Sequence, residues 1–273
     1  MTTLGFIGAG NMAGAIIRGI LRSQAATPAE IAFYSPDPTA AEFAAETGAT
    51  LTASNSELVQ GAEVVVLGVK PQVLPLVAAE IFDAVAASQP LVVSIAAGVS
   101  LEQLEAMFPV GTRIVRTMPN LAAQVGEAMT AVTGGSNATA ADVAQVRELL
   151  NAVGRTVELP EKNFSAFVAL AGSSPAFILT FVEALSRGGV LGGIPKAQAT
   201  EIVLQAVLGT AKTAQAQAEM GTAGMSPAAL IDAVCSPGGT TIAGLTAMEK
   251  AGFSSAVVQA FEATVARDQE LGK

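Results

Sequence analysis

Leu4-Gly5-Phe6-Ile7-Gly8-Ala9-Gly10-Asn11-Met12-Ala13-Gly14 decides how the rest of the chain is read. Leu4 to Ile7 is short and apolar, as a strand buried on both faces is. Gly8 and Gly10 follow at once, and Met12, Ala13, Ile16, Ile17 and Ile20 then recur at helical spacing. Strand, glycine turn and helix form the context that a dinucleotide-binding fingerprint needs. Gly8 would make the tight turn. Gly10 would let backbone N–H groups approach a pyrophosphate at the positive end of the helix. Asn11 and Met12 join the expected cofactor contacts, and Ala13 takes the third small position. A tight strand–helix turn without a ligand is the alternative reading of the same residues.

Composition narrows the chemistry. The chain has 273 residues, 51% hydrophobic and 14% charged, enough for one large or two medium domains with sizeable cores. Mean hydropathy is +0.52, high enough to raise the question of a membrane. Ala84–Leu101, read as the longest uncharged stretch, is interrupted by Ser88, Gln89, Pro90, Ser94 and Gly98, so no transmembrane span and no membrane partner are expected. Met1 runs almost directly into the first strand, so no signal peptide is expected and the location is read as cytoplasmic. A single cysteine, Cys235, rules out a disulfide framework and a multi-cysteine metal site. Histidine is absent altogether. That excludes histidine bases and histidine-ligated metals, and no metal is expected. A net charge of −9 without a basic cluster argues against nucleic acid. An anionic ligand must then be held by local N–H groups rather than by the overall field.

Ile31–Tyr34 reads as a second strand, closed by Ser35-Pro36-Asp37-Pro38. In a dinucleotide fold an acidic residue about 20 positions beyond the glycines binds the ribose 2′-OH of NAD. Ser35, 21 positions beyond Gly14, is not acidic, and its hydroxyl suits a 2′-phosphate. The expectation is NADP(H). NAD(H) is the alternative, because Asp37 could serve as the acid and no Arg or Lys lies nearby.

Ala40–Thr47 is a helix that Gly48 ends. Further strands are expected at Thr50–Thr52, Glu63–Val69, Leu91–Ile95, Arg113–Thr117, Ala128–Thr133 and Arg155–Leu159, alternating with helices. Ser54 with Glu57 reads as a capping box, and Ser100 as a cap ahead of Glu102. The early strands are continuous apolar runs, which predicts an α/β fold with a Rossmann-type, mostly parallel sheet covered on both faces. The turns after Ile7, Tyr34, Val69, Ile95 and Thr117 then open onto one crevice.

Beyond Pro160 no strand pattern remains. Ser173–Arg187, Pro195–Met220, Pro227–Val234, Thr240–Ala251 and Phe253–Glu270 read as helices. The expected division is 1–160 for the sheet domain and 161–273 for an all-helical domain. Helices such as Ala176–Val182 are apolar on more than one face, so at least a dimer is expected. Two stretches there look functional. Ala171–Phe177 reads as a small-residue turn opening a helix. Cys235–Thr241 also opens a helix, and free N–H groups at Gly238, Gly239, Thr240 and Thr241 could cradle a carboxylate, with hydroxyls from Ser236 and Thr241. Capping and glycine flexibility are the bland reading of both.

The stretch Val234-Cys235-Ser236-Pro237-Gly238-Gly239-Thr240-Thr241-Ile242-Ala243-Gly244-Leu245-Thr246-Ala247-Met248-Glu249 resembles the signature of pyrroline-5-carboxylate reductases. The turn at Gly8–Ala13, Val69-Lys70-Pro71-Gln72, Ser94–Gly98, Arg116–Asn120, Gly172–Ala176 and Arg267–Leu271 agree in order, so the resemblance covers the whole chain. It implies hydride transfer from NAD(P)H to the C=N carbon of L-1-pyrroline-5-carboxylate, the last step of proline synthesis. The missing histidines fit. An imine that arrives protonated accepts hydride without a strong general acid, whereas a ketone needs one. By the resemblance, Ser236, Gly238, Gly239, Thr240 and Thr241, with Ser173, would hold the substrate, and Thr241 would hydrogen-bond its ring nitrogen. Asn55, Val69, Lys70, Pro71 and Ala97 would line the cofactor alongside Gly8, Gly10, Asn11, Met12 and Ser35. A homodimer through helical domains, and a ring of dimers, are implied as well.

The chain departs from the family pattern at Leu121-Ala122, Ala171, Ser174, Phe177 and Cys235, and in a longer Gln215–Ser226 segment. These changes bear on the choice of imine more than on the reaction. A related imine reductase, a β-hydroxyacid dehydrogenase and a non-catalytic NADP(H)-binding regulatory protein are the alternatives. The dehydrogenase would place a lysine about a turn beyond Gly172-Ser173, and none occurs before Lys196.

Overall fold

The computed structural model describes residues Leu4–Leu271; Met1, where no signal peptide is expected, lies outside them. The chain divides into two compact units. One holds the residues up to Gly172 together with those from Thr264 on, and the other is Ser173–Ala263.

The first unit is built on eight strands in the order β3-β2-β1-β4-β5-β6-β7-β8. They are β1 (Leu4–Ile7), β2 (Ile31–Tyr34), β3 (Thr50–Leu51), β4 (Val64–Leu67), β5 (Leu91–Ser94), β6 (Arg113–Met118), β7 (Ala128–Gly134) and β8 (Gly154–Glu158). Every neighbouring pair is parallel except β6 and β7. The mostly parallel sheet is thus as expected. Helices α1 (Asn11–Arg22), α2 (Ala40–Thr47), α3 (Asn55–Gly61), α4 (Leu74–Ser88), α5 (Leu101–Met107) and α6 (Ala140–Leu150) connect the strands.

Sequence explains why the sheet is enclosed. Every residue of β1, β4 and β5 is buried, so both pleat faces need apolar side chains, and LGFI, VVVL and LVVS supply them almost throughout. Ile16, Ile17 and Ile20 of α1 share one face and are fully enclosed with Phe6 and Phe33. Each such side chain contributes about 1.5–3 kcal/mol. On the other side Leu58, Val59, Leu74, Val77 and Ile81 pack with Ile7, Val65 and Leu67. Registers Ile7↔Tyr34, Ile7↔Leu67 and Leu67↔Ser94 bring four strand ends to one level. The order of the strands reverses between β1 and β4, which is where open α/β sheets bind ligands.

Local details depart from the reading above. Ser54 does cap α3, its Oγ accepting from Glu57 N–H at 3.1 Å, but the Glu57 carboxylate accepts from Ala53 N–H (2.8 Å), one residue beyond the box position. At α5 the box is closed by Gln103, whose Oε1 accepts from Ser100 N–H at 2.9 Å. The larger difference is at Ala171–Phe177, which is no turn. Helix α7 (Phe164–Phe167) passes into a π-helical segment, Val168–Ser173, and on into α8 (Ser174–Leu191). Pro175 has no N–H to give the Ala171 carbonyl four residues earlier. Asn120 Nδ2 donates to that oxygen instead, at 2.9 Å, so the helix survives its proline. This run, Glu161–Leu191, is long and apolar enough to cross a membrane by length and composition. It contains the uncharged stretch Asn163–Val182, longer than Ala84–Leu101.

The second unit holds α8, α9 (Lys196–Glu219), α10 (Pro227–Val234), α11 (Thr240–Lys250) and the first part of α12 (Phe253–Leu271). Among its described residues only Val182, Ser186, Ala199 and Val203 are buried. No residue of α10, α11 or α12 is. Leu179, Leu191, Val234 and Val258 are more than half exposed, at 55%, 91%, 65% and 55%. A helical unit with so little core needs another surface to cover it.

Candidate active site

At the end of β1 the chain is pinned on both sides. Gly8 N–H donates to the Tyr34 carbonyl and Gly68 N–H donates to the Ile7 carbonyl, each at 2.8 Å. Gly8 itself sits at φ +90°, and a Cβ there would stand 2.9 Å from Gly68 O. Only glycine makes this turn without strain. Ala13, 1% exposed, packs so close to the neighbouring strand end that a Cβ on Gly68 would come within 2.7 Å of it.

Gly10 is different. It is the N-cap of α1, with ordinary backbone angles (φ −66°, ψ −175°) and no capping side chain. A Cβ built on it meets nothing within 4 Å. The first-turn N–H groups, including those of Asn11 and Met12, therefore have no intrahelical acceptor and stand beside open space. That is the arrangement an anion requires.

The space is a cavity of about 870 Å³. Gly8, Gly10, Asn11, Ser35, Val69 and Lys70 line it, six of the residues expected at a cofactor. Asp37, Arg18 and Glu46 line it too. Ser35 Oγ accepts from Asp37 N–H at 3.3 Å, which leaves its own hydrogen free to donate. Asp37 is held ionised: hydrogen bonds from Thr39 Oγ1 (2.7 Å) and Thr39 N–H (2.9 Å) push its carboxyl below the usual aspartate range. Arg18 forks onto Glu46 at 2.6 and 2.8 Å and lies over the Phe43 ring.

Four expected cofactor residues do not line this cavity: Met12, Asn55, Pro71 and Ala97. Met12 is half-buried against the core, and Ala97 is exposed in the turn after β5. Asn55, 5% exposed, opens α3; its Nδ2 donates to Glu80 Oε2 at 2.9 Å while its buried Oδ1 has no partner among the described residues.

In the second unit the loop 235–239 connects α10 to α11. Ser236, Gly238, Thr240 and Thr241 are exposed. Gly238 turns at φ +67°. The Gly239 N–H is not free as the sequence reading has it: it donates to the Ser236 carbonyl at 3.0 Å, closing the turn. Gly239 is instead the N-cap of α11 and brings no capping side chain, so the N–H groups of Thr240 and Thr241 lack an intrahelical acceptor. Ser236 Oγ lies against the Gly239 Cα, where a Cβ would not fit. Ser173 ends the π segment and makes no capping bond.

A family model described as pyrroline-5-carboxylate reductase dimerisation matches residues 161–271, and one described as NADP oxidoreductase, coenzyme F420-dependent, matches 3–98. The chain is 41% identical over 271 residues to pyrroline-5-carboxylate reductase of Synechocystis, covering 99% of this chain and 98% of the relative. It is 38% identical to that of Escherichia coli over the same shares. The chain belongs to the pyrroline-5-carboxylate reductase family. Among solved structures, the family's enzyme from Coxiella burnetii aligns at a TM-score of 0.92 and 30% identity, covering 100% of this chain and 99% of the other. A Plasmodium falciparum pyrroline carboxylate reductase with NADP bound aligns at 0.87 and 28% identity, covering 100% and 98%.

For a pyrroline-5-carboxylate reductase, a dimerisation domain at 161–271 accounts for the apolar side chains left exposed on α8–α12. The departures from the family pattern now have places. Leu121 is 55% exposed at the start of a short helical turn after β6, and Phe177 is half-buried on α8. Cys235 is half-buried at the end of α10, a free thiol. The longer segment folds as the end of α9 plus a turn, tied by Gln217 Oε1 accepting from Met225 N–H at 3.0 Å. Sequence reasoning missed Glu80 and the capping role of Asn120. Each acts on a partner distant in sequence, and no local pattern marks them.

Proposed function

We propose that this protein reduces L-1-pyrroline-5-carboxylate to L-proline with a nicotinamide dinucleotide, NADP(H) in preference to NAD(H), as a cytoplasmic homodimer or ring of dimers. One observation carries the reading. Two helices, α1 and α11, begin at glycines without capping side chains and present bare N–H groups, in a chain with no histidine and a net charge of −9. The first suits a pyrophosphate and the second a carboxylate. Residues 1–160 would carry the cofactor, and 161–273 the substrate loop and the dimer contact.

The residues fit the dinucleotide. Gly8 makes the turn, Gly10 leaves room, and Asn11 and Met12 offer N–H groups to the pyrophosphate. Ser35 would donate to the 2′-phosphate. Val69, Lys70, Pro71, Asn55 and Ala97 would flank the remainder. A bound nicotinamide supplies the hydride. The chain's own task is to orient and to hold charge. Thr240 and Thr241 N–H groups, with the Ser236 hydroxyl and Gly238–Gly239, would fix the substrate carboxylate, and Ser173 would close the site. The Thr241 hydroxyl would accept from the protonated ring nitrogen and hold it as an iminium. No general acid is then needed, because the nitrogen already bears the proton that the product amine keeps.

The test is loss of NADPH absorbance on addition of pyrroline-5-carboxylate, with proline measured as product. Tight NADP(H) binding without turnover of this imine would refute the assignment and favour the regulatory alternative.

A further inference from the structure

The geometry points to Glu80 as a positioning residue that turns the Asn55 side chain so that its carbonyl, not its amide N–H, faces the dinucleotide. This rests on the cofactor reading above. Asn55 is buried, 5% exposed, at the start of α3 and at the carboxyl edge of the sheet. Its amide can stand in two ways related by a flip, and the flip exchanges a donor for an acceptor. Glu80, on α4, decides between them. An ionised carboxylate only accepts, so the Nδ2 donating to Glu80 Oε2 at 2.9 Å must be the nitrogen. Ser56 Oγ, donating to the Glu80 carbonyl at 3.4 Å, ties the same two helices together. Asn55 Oδ1 is left as a buried acceptor with no partner among the described residues.

A buried acceptor without a donor is unfavourable unless a ligand supplies one. The dinucleotide has donors of three kinds, ribose hydroxyls, the carboxamide N–H₂ and the adenine N–H₂. Any of these would meet Oδ1. An Nδ2 in its place would face an N–H₂ donor to donor, and a hydroxyl could meet it only by turning to accept, giving up the bond it donates. Glu80 touches no ligand. It acts through Asn55.

The experiment is NADPH binding by calorimetry, without imine, to three forms of the full chain. Glu80→Lys replaces an acceptor with a donor and turns the amide round, so that N–H faces a ligand donor. Its added positive charge would by itself tighten binding of an anionic dinucleotide. The expected result is the opposite, a Kd raised about tenfold, the loss of one buried hydrogen bond. Adding Asn55→Asp to Glu80→Lys supplies a side chain that accepts on both oxygens, pairing with Lys at one and the ligand at the other. That double variant is expected to return to within about threefold of wild type. Binding by Glu80→Lys as tight as wild type or tighter overturns the proposal. So does weakened binding that Asn55→Asp fails to rescue, because Glu80 would then be a mere tie between α3 and α4. Repeating the pair with the 3-acetylpyridine analogue, which has no carboxamide N–H, narrows the donor: a penalty that persists names a hydroxyl or the adenine N–H₂ and one that vanishes names the carboxamide, and either supports Oδ1 as acceptor. A wild-type chain that binds NADPH but leaves the imine unreduced sinks the reductase assignment alone.

Discussion

Gly8 and Gly10 stand two residues apart in one loop, and the structure assigns them opposite failures. Gly8→Ala puts a side chain at φ +90°, which costs about 1–2 kcal/mol for an L-residue. The new Cβ also lies 2.9 Å from Gly68 O and 3.1 Å from Gly68 C. Those are backbone atoms, and Gly68 is itself bonded to the Ile7 carbonyl at 2.8 Å, so relief requires parting β1 from β4. Overpacking of that kind adds about 1–3 kcal/mol. A total near 3 kcal/mol lowers the melting temperature by about 6–12 °C in a domain of this size. Gly10→Ala meets none of this. Its φ of −66° and ψ of −175° suit any residue, and nothing stands within 4 Å of the Cβ. Its melting temperature should stay within about 2 °C of wild type. The methyl group fills the space beside the first N–H groups of α1, so NADPH affinity should fall about tenfold or more, as when a hydrogen bond to a charged group is lost. Calorimetric melting and NADPH titration on both variants read the two effects separately. A stable Gly10→Ala that binds NADPH like wild type would show that no pyrophosphate sits over α1, and the cofactor reading would fall with it.

Three further outcomes are expected. Thr241→Ala should lower kcat about tenfold or more with NADPH affinity unchanged, as loss of a charge-assisted hydrogen bond implies; collapse of cofactor binding in stopped-flow titration would mean the role of α11 is wrong. Ser35→Asp places a negative charge where the 2′-phosphate is expected and should shift the NADPH-to-NADH ratio of kcat/KM toward NADH by about tenfold or more; an unchanged ratio removes Ser35 as the discriminator. Asp142, 4% exposed, is raised by burial, but hydrogen bonds from Thr139 and the Arg113 guanidinium outweigh that and hold its folded pKa below the ordinary 3.8. Its stabilisation is therefore fully present above the unfolded pKa and fades as pH falls through the folded one. Asp142→Asn should lower stability by about 1–3 kcal/mol at pH 7 and flatten the acid limb of a denaturation profile below pH 4, and an unaltered acid limb would refute it.

Where one local rule acted alone, the sequence could be read to the residue. β1 and β2 end where apolar runs meet Gly8 and Ser35, α2 stops at Gly48 with φ +72°, and α10 begins at Ser226 and Pro227. Reading failed where a distant partner overruled the local signal. Gly172, Ser173, Ser174 and Pro175 are all helix breakers taken singly, yet they lie in or join one helical run, because the Asn120 side chain, 51 residues from Ala171, satisfies the carbonyl that Pro175 cannot. The same holds at the site. Gly8, Gly10 and Ser35 are marked by spacing, whereas the choice of donor or acceptor at Asn55 depends on Glu80, 25 residues away. A glycine run shows no partner for the Gly239 N–H, and the partner is a backbone carbonyl three residues earlier, visible only once the turn is folded.

The absence of histidine and the acidic charge meet in one constraint. A chain at −9 repels anions at long range, and both proposed ligands are anions. It could offset this with arginines at the site, but Arg18 is already committed to Glu46, and Arg116 to Glu161 at 2.6 Å. Beside Lys70, which lines the cavity, what remains is the backbone. A helix start offers about half a positive charge and several aligned N–H groups. It needs no titratable side chain and holds its direction as long as the helix does. Gly10 and Gly239 are the residues that leave those groups bare: a serine or aspartate at either cap would bond the N–H groups itself and compete with the ligand. The requirement for glycine at Gly10 is therefore not conformational, since its backbone angles are ordinary. On the proposed reaction the same economy extends to the chemistry, because an iminium brings its own proton and charge, and a positioned hydroxyl suffices where a ketone would demand an acid.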